Sequence, residues 1–399
     1  MIDFDEAYKK VLQHTFDLGM ETVPLTESNG RVLAEDIKAD RDFPPFNRST
    51  KDGIALNYAA VEKGTVTFKV EGVLSAGMAQ QTLSNGPNCY EIMTGAVVPN
   101  AADTVIMYEE LTIINGTATI SKKPKKGQNI HVKGNDEKLG AILLKKGKRV
   151  TAADIGVLAS VGKAEVKVRR NPKICVISTG NELVEVSETP LPHQIRKSNT
   201  LSLAAALADE NISATSLHLL DDQEIIENAL EEALQHYDVL LLSGGVSKGK
   251  FDFIPDAMEA LGVRKVFHKV WQRPGKPFWF GVQEELNTVV FSFPGNPVST
   301  FANYHVYFLP WLTNTLGLPH AEHQVILDEP IQIDPPFVRF VQVTVHWEKA
   351  SLHARLLKDG GSGDLTSLSK SAGFVLLRPK EEPYQKGELV TFIPTQAII

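Results

Sequence analysis

The stretch from residue 171 to about residue 317 constrains the fold most, because short apolar segments alternate there with helical ones. The apolar segments are KICVIST, ATSLHLL, DVLLLSGG, VRKVFHKVW and TVVFSFPG. Helical segments such as NTLSLAAALADE and QEIIENALEEALQ lie between them, and a long helix is predicted from near Asn296. This alternation indicates an α/β region with a mostly parallel, doubly wound sheet. Ligands of such sheets bind at the carboxyl ends of the strands.

The rest of the chain has a different character. Residues 3–18 carry apolar side chains at helical spacing, with Asp3 and Glu6 placed as a capping box, and this predicts a helix packed on a core. Residues from about 40 to 140 alternate short β-like runs with Gly, Asn and Pro, which indicates a β-rich insert. The segment from about Val325 onward is rich in strands and predicts a separate β-barrel or sandwich.

The composition is that of a soluble globular protein, with 43% hydrophobic and 22% charged residues among 399. The net charge of -7 comes without a basic stripe, so we do not expect nucleic-acid binding. Two distant cysteines, Cys89 and Cys175, fit a reducing cytoplasm rather than a disulfide framework. The N-terminus does not resemble a signal peptide, and no apolar run is long enough for a membrane span.

Polar and glycine-rich loops follow five of the predicted strands. They read STGNEL (178–183), DD (221–222), SGGVSKGKFD (243–252), QRPGKP (272–277) and PGNPVS (294–299). One such loop carries little information, but five at the edge where this fold class binds its ligands predict a site.

The residue types in these loops suit a phosphate-containing anion. Gly244, Gly245 and Gly249 let backbone N–H groups approach an anion closely, and the helix that starts near Asn296 can direct its N-terminus toward the anion. Positive charge is available from Lys248, Lys250, Lys269, Arg273 and Lys276. Carboxylates that suit Mg²⁺ are available from Glu182, Asp222 and Asp252.

Other interpretations of these motifs were weighed. Asp221 and Glu224 can equally form a capping box for the following helix. A serine nucleophile is disfavoured, because neither Ser178 nor Ser243 has a local histidine or a G-x-S-x-G motif. His320 and His323 are spaced like metal ligands but lack a cysteine or carboxylate partner nearby.

The spacing from Gly244 to Lys250 nearly matches a nucleotide-binding P-loop. Phe251 stands where the P-loop needs the hydroxyl that binds Mg²⁺, so a P-loop NTPase is disfavoured.

The motifs SGGVS, PGKP and PGNPVS, in this order on an α/β region, resemble the molybdopterin molybdenumtransferase family of MoeA type, to which the gephyrin E domain is related. Upstream, FNRSTKDGIAL, EIMTGAVVPNAADTVIMYEE and GQNIHVKGND are similar to further family segments. Downstream, GGSGDLTSLSKSAGFVLL resembles the motif of the family's last domain. The resemblance covers nearly the whole chain.

The resemblance implies four domains. Residues 1–20 and 171–320 would form the molybdopterin-binding α/β domain, and residues 21–40 and 141–170 an elongated linker domain. Residues 41–140 would form the β-rich insert domain, and residues 325–399 the C-terminal β-barrel. It also implies a homodimer whose active site lies between the sheet domain of one protomer and the insert of the other.

The implied reaction inserts molybdenum from molybdate into adenylylated molybdopterin, needs Mg²⁺ and releases AMP. A molybdopterin adenylyltransferase is an implied partner. The catalytic positions that the resemblance transfers are Asp52, Thr94, Asp136, Glu182, Lys269 and Lys276. The substrate-binding positions are Ser243, Gly244, Gly245, Ser247, Arg273, Pro294, Gly295, Asn296, Ser299 and Ser367. The metal ligands are Asp222, or its neighbour Asp221, and Asp252.

Some positions depart from the family pattern. Lys51 and Ile54 stand on either side of Asp52-Gly53 where the family has methionine and tyrosine, and Arg273 stands where a lysine is common. Arg339 lies slightly out of register with the family's arginine. Two alternatives stay open: a molybdopterin adenylyltransferase, which shares the sheet domain but usually lacks the others, and a non-catalytic gephyrin-like scaffold with a partner groove between the sheet and barrel domains.

Overall fold

Strand pairing organises most of this chain, as seen in a computed structural model that describes residues 1–246, 253–358 and 360–398. Within those ranges, no helix is both long enough and apolar enough to cross a membrane. The helices up to residue 170 are α1 (Phe4–Gln13), α2 (Tyr58–Glu62) and α3 (Ala152–Ser160). The strands of this part are β1 (Met20–Pro24), β2 (Ile37–Lys38), β3 (Arg48–Ser49), β4 (Gly53–Leu56), β5 (Thr67–Leu74), β6 (Asn88–Ile92), β7 (Thr104–Met107), β8 (Leu111–Ile114), β9 (Thr117–Ile120), β10 (Ile130–His131), β11 (Ile142–Leu144) and β12 (Glu165–Arg169).

The first helix, α1, ends at Gln13 and is therefore shorter than the predicted range of 3–18. The backbone carbonyls at its end are satisfied from outside the helix: the Trp311 indole donates to the His14 carbonyl at 2.9 Å. Asp3 caps the helix by accepting from the Asp5 N–H at 2.8 Å. The predicted capping box is wrong, since the Glu6 carboxylate pairs instead with Lys10 at 2.9 Å.

Two segments far apart in sequence pack together next to this helix. Strand β1 pairs antiparallel with β12, and β2 pairs antiparallel with β11. A shared apolar core includes Val23, Leu33, Leu158 and Val166. Between these segments, residues 53–120 form a six-stranded sheet in the order β7-β4-β6-β5-β9-β8.

The α/β region follows from residue 174. Its helices are α4 (Asn199–Asp209), α5 (Gln223–His236), α6 (Ile254–Ala260), α7 (Pro297–Asn303) and α8 (Leu309–Thr315), and a π-helical turn at Tyr304–Phe308 joins the last two. Its strands are β13 (Ile174–Thr179), β14 (Leu183–Val184), β15 (Ile195–Arg196), β16 (Ala214–Leu219), β17 (Val239–Ser243), β18 (Arg264–His268), β19 (Gln272–Arg273), β20 (Trp279–Gln283) and β21 (Thr288–Phe293).

The main sheet of this region has the order β16-β13-β17-β21-β20-β18. Strands β16, β13, β17 and β21 are parallel to one another, which confirms the mostly parallel α/β sheet. Strand β20, which the alternation pattern does not predict, runs antiparallel to both of its neighbours. As a result, the connection from β18 to β20 lies at the same edge as the carboxyl ends of the parallel strands.

The C-terminal region forms the closed β-barrel. Its strands are β22 (His323–Leu327), β23 (Val338–Glu348), β24 (Ser351–Leu356), β25 (Gly373–Leu377) and β26 (Leu389–Pro394), with the short helix α9 at Leu365–Leu368. The order β23-β24-β22-β26-β25 closes because β25 also pairs with β23. Strand β19 of the preceding region adds to β23 in parallel and joins the two regions.

Candidate functional site

The loops at the carboxyl edge of the main sheet surround an open cleft with a volume of about 900 Å³. The described residues that line it all lie between Ser178 and Leu365. Seven of the predicted site residues are among them: Glu182, Ser243, Gly244, Gly245, Pro294, Gly295 and Asn296. The sequence-predicted loops therefore meet at one place.

The SGG loop, residues 243–245, lines this cleft, and its two glycines adopt a backbone conformation that other residues disfavour. Gly244 has φ +107° and Gly245 has φ +69°, both in the region that side chains disfavour. A Cβ on Gly244 would lie 2.9 Å from the Thr179 hydroxyl and 3.2 Å from its carbonyl. A Cβ on Gly245 would lie 2.6 Å from Ile254 Cγ1. The two glycines keep the backbone close to β13 and leave it accessible from the cleft.

A buried hydrogen-bond network joins the SGG loop to the PGNP loop. The Asn199 amide donates to the Ser243 hydroxyl at 2.8 Å and to the Gly295 carbonyl at 2.7 Å. The Thr300 hydroxyl donates to the Pro294 carbonyl at 2.6 Å. Ser243 is 4% exposed, so its hydroxyl holds the two loops together rather than presenting a free nucleophile.

A loop of the barrel closes one side of the cleft. The Asn296 amide donates to the Ser362 hydroxyl at 2.9 Å, and the Val298 N–H donates to the Ser362 carbonyl at 3.1 Å. The predicted residue Ser367 is buried in this segment and receives a hydrogen bond from the Gln342 amide at 2.8 Å. Ser299 is also buried, inside α7. Neither of these two serines lines the cleft.

The acidic side of the cleft contains Glu182 and Asp221. Asp221 and Asn181 bond reciprocally through side chain and backbone, at 3.1 and 3.3 Å. Asp222, the first choice as metal ligand, instead caps α5 by accepting from the Ile225 N–H at 3.1 Å and is not among the lining residues. Of the two neighbouring aspartates, Asp221 therefore lines the cleft and Asp222 does not.

Ser178 lies beside a histidine after all, which corrects the expectation from sequence. Register in the sheet pairs it with His218, and its hydroxyl is 3.0 Å from His218 Nδ1. Burial lowers the pKa of His218, so the imidazole is neutral at pH 7. His218 Nε2 has no hydrogen-bond partner among the described residues. The pair therefore lacks the third group that orients a nucleophile and its base.

Of the predicted basic residues, those that the structure describes are not among the residues that line the cleft: Lys269, Arg273 and Lys276. The Arg273 guanidinium stacks 4.3 Å from the centroid of the Phe337 ring, and Lys276 Nζ lies 5.6 Å from it. Arg339 is the register partner of Arg273 across the β19–β23 pair. In the described part of the chain, no carboxylate forms an ion pair with Arg273, Lys276 or Arg339, the three cations that we call the basic cluster.

Lys269 begins the connection from β18 to β20, which contains Arg273 and Lys276. Its backbone has φ +73°, which is unusual for a residue with a side chain. The Ile2 N–H donates to the Lys269 carbonyl at 3.0 Å, and the Lys269 N–H donates to the Phe278 carbonyl at 2.9 Å. A strained backbone held by such bonds is often found at functional sites.

The predicted residues of the insert are not among those that line the cleft. Asp52 Oδ1 accepts from the Thr94 N–H at 2.6 Å and from the Thr94 hydroxyl at 2.8 Å. These two hydrogen bonds lower the pKa of Asp52, which is exposed. Asp136 is also exposed, and its carboxylate lies 2.8 Å from His131 Nε2. The insert thus presents both carboxylates to the solvent.

Two predicted residues, Ser247 and Asp252, lie outside the described residues, as do Lys248 and Lys250. Sequence reasoning missed Asn199, Thr300 and Ser362, which connect the loops. Asn199 begins a predicted helix and Ser362 lies in a glycine-rich segment, so neither has a local signal of its contact. Only the sheet order brings them to the cleft.

Three family models match the chain along its length. They are described as the MoeA N-terminal region (domain I and II) for residues 2–162, a probable molybdopterin binding domain for residues 175–314, and the MoeA C-terminal region (domain IV) for residues 324–395.

Curated relatives and a solved structure match over the full length. The molybdopterin molybdenumtransferase of Synechocystis sp. is 36% identical over 395 residues, covering 98% of this chain and 99% of the relative. That of Bacillus subtilis is 34% identical over 405 residues, covering 98% and 93%. The crystal structure of the molybdopterin biosynthesis MoeA protein from Pyrococcus horikosii has a TM-score of 0.84 and 30% identity, covering 100% of both chains.

Proposed function

The chain belongs to the MoeA family, and on that premise we propose that it is a molybdopterin molybdenumtransferase. It would insert molybdenum from molybdate into adenylylated molybdopterin and release AMP. The observation that carries this proposal is the cleft of about 900 Å³, which combines accessible glycine backbone with two carboxylates. Its volume lies within the range of small-molecule and cofactor sites.

The glycine loop supports binding of the phosphate region of the substrate. The Gly244 N–H donates to the Phe293 carbonyl at 3.1 Å, so the Gly245 N–H is the backbone donor proposed for the anion, and neither glycine shields it with a side chain. The network through Asn199 and Thr300 holds this loop against the PGNP loop, so the site would exist before substrate arrives. Preorganised dipoles of this kind need no rearrangement during the reaction.

The basic cluster is the proposed site for the molybdate oxyanion or a substrate phosphate. Arg273 and Arg339 are neighbours in register, and their like charges repel each other. An anion between them would relieve this repulsion and pair with Lys276. Arginine can grip an oxyanion through two parallel N–H donors, which makes Arg273 more than a substitute for lysine.

The cleft suits Mg²⁺, because its acidic side offers only oxygen ligands. Glu182 and Asp221 would hold the ion, together with substrate oxygens, and Asp252 is a further proposed ligand from outside the described residues. The bound ion would neutralise negative charge on the substrate phosphates.

The catalytic acids of the insert support a homodimer. Residues lining the cleft begin at Ser178, so the insert of the same chain does not contribute to it within the described residues. A second copy could place its Asp52 over the cleft, which is the arrangement that a two-fold dimer would repeat at both sites. Asp52 would then accept a proton from the water that cleaves the adenylate, and AMP would leave.

The first experiment measures AMP release from purified protein given adenylylated molybdopterin and Mg²⁺, with and without molybdate. We expect release that depends on molybdate and is lost in the presence of a Mg²⁺ chelator. Release at the same rate without molybdate would contradict molybdenum insertion. Tight binding of the adenylate with no release under any condition would favour a carrier or scaffold.

A complementation experiment tests the shared site. At molybdate concentrations well below half-saturation, Asp52→Asn should be inactive alone, and Lys276→Gln should keep about a tenth of the wild-type rate. In mixed dimers one of the two sites would contain neither change, so co-expression should restore about a quarter of wild-type activity. No recovery, with mixed dimers shown to form, would place both residues at a site within one chain.

A lysine outside the cluster provides the control for charge. Lys265 is exposed on β18 and pairs with Glu259, so Lys265→Gln is expected to leave AMP release unchanged. Lys276→Gln should raise the molybdate concentration needed for half-maximal rate by about ten-fold, since a hydrogen bond to a charged group contributes about 1.5–3 kcal/mol.

A second candidate function is partner anchoring. A groove of about 740 Å³ between the sheet region and the barrel is lined by residues such as Phe4, Tyr8, His305 and Phe392, and such a groove favours a scaffold role.

The adenylylated substrate needs a supplying enzyme, so a molybdopterin adenylyltransferase is the proposed partner. We assign the protein to the cytoplasm, where its two unpaired, buried thiols would stay reduced.

A further inference from the structure

Three side chains meet on the surface of the barrel, away from the residues of the cleft. His346 on β23 is the register partner of His353 on β24. Asp328 directly follows β22, which pairs in parallel with β24. The register of three neighbouring strands therefore brings two imidazoles and one carboxylate together.

The distances within this group, which we call the His-Asp cluster, are short. His353 Nδ1 lies 3.1 Å from Asp328 Oδ1, and His346 Nε2 lies 3.7 Å from Asp328 Oδ2. One ligand atom from each of the three residues lies within 4.8 Å of the others. Two ligands of a tetrahedral Zn²⁺ ion at about 2.0–2.1 Å lie about 3.3 Å apart, so small side-chain rotations suffice.

The carboxylate of Asp328 contains an oxygen without a hydrogen bond. Oδ2 is buried, and no donor bonds to it among the described residues. His346 Nε2 and the Arg355 guanidinium each lie 3.7 Å from it, beyond hydrogen-bond distance. A buried carboxylate oxygen in this state is destabilising, and a directly bound cation would satisfy it.

We propose that the His-Asp cluster binds a divalent first-row metal ion, with Zn²⁺ as the expected ion. His346, His353 and Asp328 would supply two nitrogens and one oxygen, and water would complete the coordination. Imidazole ligands favour Zn²⁺ over Mg²⁺, which prefers oxygen. His346 has a 42% exposed side chain, so the ion could enter from solvent.

The ion would tie the end of β22 to the β23–β24 hairpin. Arg355 provides a counter charge to Asp328 when no metal is bound, and its side chain is 68% exposed, so it can move away. The site uses no residue of the cleft. AMP release and metal binding at the barrel would therefore succeed or fail independently.

The experiment uses the full-length protein without a polyhistidine tag, stripped with a chelator. Zn²⁺ is titrated in competition with a chromophoric chelator, and Co²⁺ is added separately as a spectroscopic probe. We expect one equivalent of Zn²⁺ to bind with Kd of about 1 µM or below. Co²⁺ should give visible absorption bands of a four- or five-coordinate site.

Ligand variants decide where the ion binds. His346→Gln and Asp328→Asn should each weaken Zn²⁺ binding at least about ten-fold. His346 is partly exposed, so its variant should keep the wild-type melting temperature in the absence of metal. The control is the double variant His320→Gln/His323→Gln, which changes the histidine pair outside the cluster and should bind like the wild type.

Absence of a bound equivalent in the wild type would overturn the proposal. Equal affinity in wild type and His346→Gln would overturn it too, as would loss of binding in the His320→Gln/His323→Gln control. Loss confined to the cluster variants, with the cobalt bands lost in parallel, would establish the site.

Discussion

The cleft of the main sheet and the insert surface at Asp52 and Asp136 differ in how their polar side chains are held in place. In the cleft, Ser243 and Thr300 are buried and bonded to neighbouring loops. On the insert, Asp52 and Asp136 are exposed, and their side-chain partners within the described residues belong to the insert. The polar groups of the first surface are held in place by their own chain. The second presents charge to solvent, as expected for a surface that acts on something outside its chain.

This difference separates two physical tasks. The cleft needs a rigid arrangement of backbone donors, which glycine loops and buried hydrogen bonds supply. In the proposed mechanism the insert supplies a carboxylate that stays ionised, and hydrogen bonds from Thr94 favour this state by lowering the pKa of Asp52. Substitutions in the cleft and on the insert can test the two tasks separately.

The largest effect is expected from Asp52→Asn. The amide keeps the shape of the side chain but removes the base, so AMP release should fall about 10²–10³-fold, as for loss of one preorganised electrostatic contact. The melting temperature should not change. Glu62→Gln, at another exposed acid of the insert, is the control and should be fully active. Normal turnover by Asp52→Asn would remove it from the proposed mechanism.

The connection between the linker strands and the sheet is expected to contribute less. Arg170 next to β12 grips Asp238 at 2.7 and 3.0 Å, and the Lys173 N–H adds a bond at 2.7 Å. Burial alone would raise the pKa of Asp238, but these hydrogen bonds outweigh it and lower the pKa. Asp238→Asn should therefore destabilise the protein by about 1.5–3 kcal/mol near pH 7.

The pH dependence of this loss has a definite sign. Because the pKa of Asp238 is lowered on folding, its stabilising effect is present above the pKa of an unfolded Asp, about 3.9, and is lost as the pH falls through the folded value. Urea unfolding of wild type and Asp238→Asn should converge in acid. Glu284→Gln, at an exposed ion pair with Arg264, should change stability little at any pH.

The glycine loop of the cleft can be tested with a matched pair. Gly244→Ala adds a Cβ in contact with Thr179 at a positive φ, and such a strained residue costs about 1–3 kcal/mol. Gly64 has φ +91° but open space around its Cβ position. Both variants should lower stability, but only Gly244→Ala should weaken binding of the adenylylated substrate, measured by calorimetry. Equal binding by the two variants would argue against a phosphate loop.

The smallest effect is expected from Thr94→Val. It removes the hydroxyl bond to Asp52 but keeps the backbone bond. Loss of this hydrogen bond should raise the pKa of Asp52, so the acid side of the rate–pH profile should move toward neutral pH. Thr94→Ser should restore the wild-type profile. An unchanged acid limb in Thr94→Val would show that another group controls it.

Several features of the site were predictable because they are local. The strand at Ile174–Thr179 and the SGG turn after β17 follow from apolar runs that end in glycine. The end of α1 was not predictable, because it depends on distant residues. Trp311 and Asn314 of α8 donate hydrogen bonds to the carbonyls of His14 and Leu12, which have no partner within the helix. The choice between Asp221 and Asp222 was equally hidden, because both follow the same strand.

The sequence by itself determined the α/β region, the strand-rich regions on either side of it and the loops that meet at the cleft, since periodicity and glycine turns are properties of short segments. Only the tertiary structure decided that Ser178 contacts His218, that Asn199 and Ser362 join the loops of the cleft, and that two histidines and Asp328 meet on the barrel. These contacts depend on sheet order and register, which are set by packing between residues far apart in the chain.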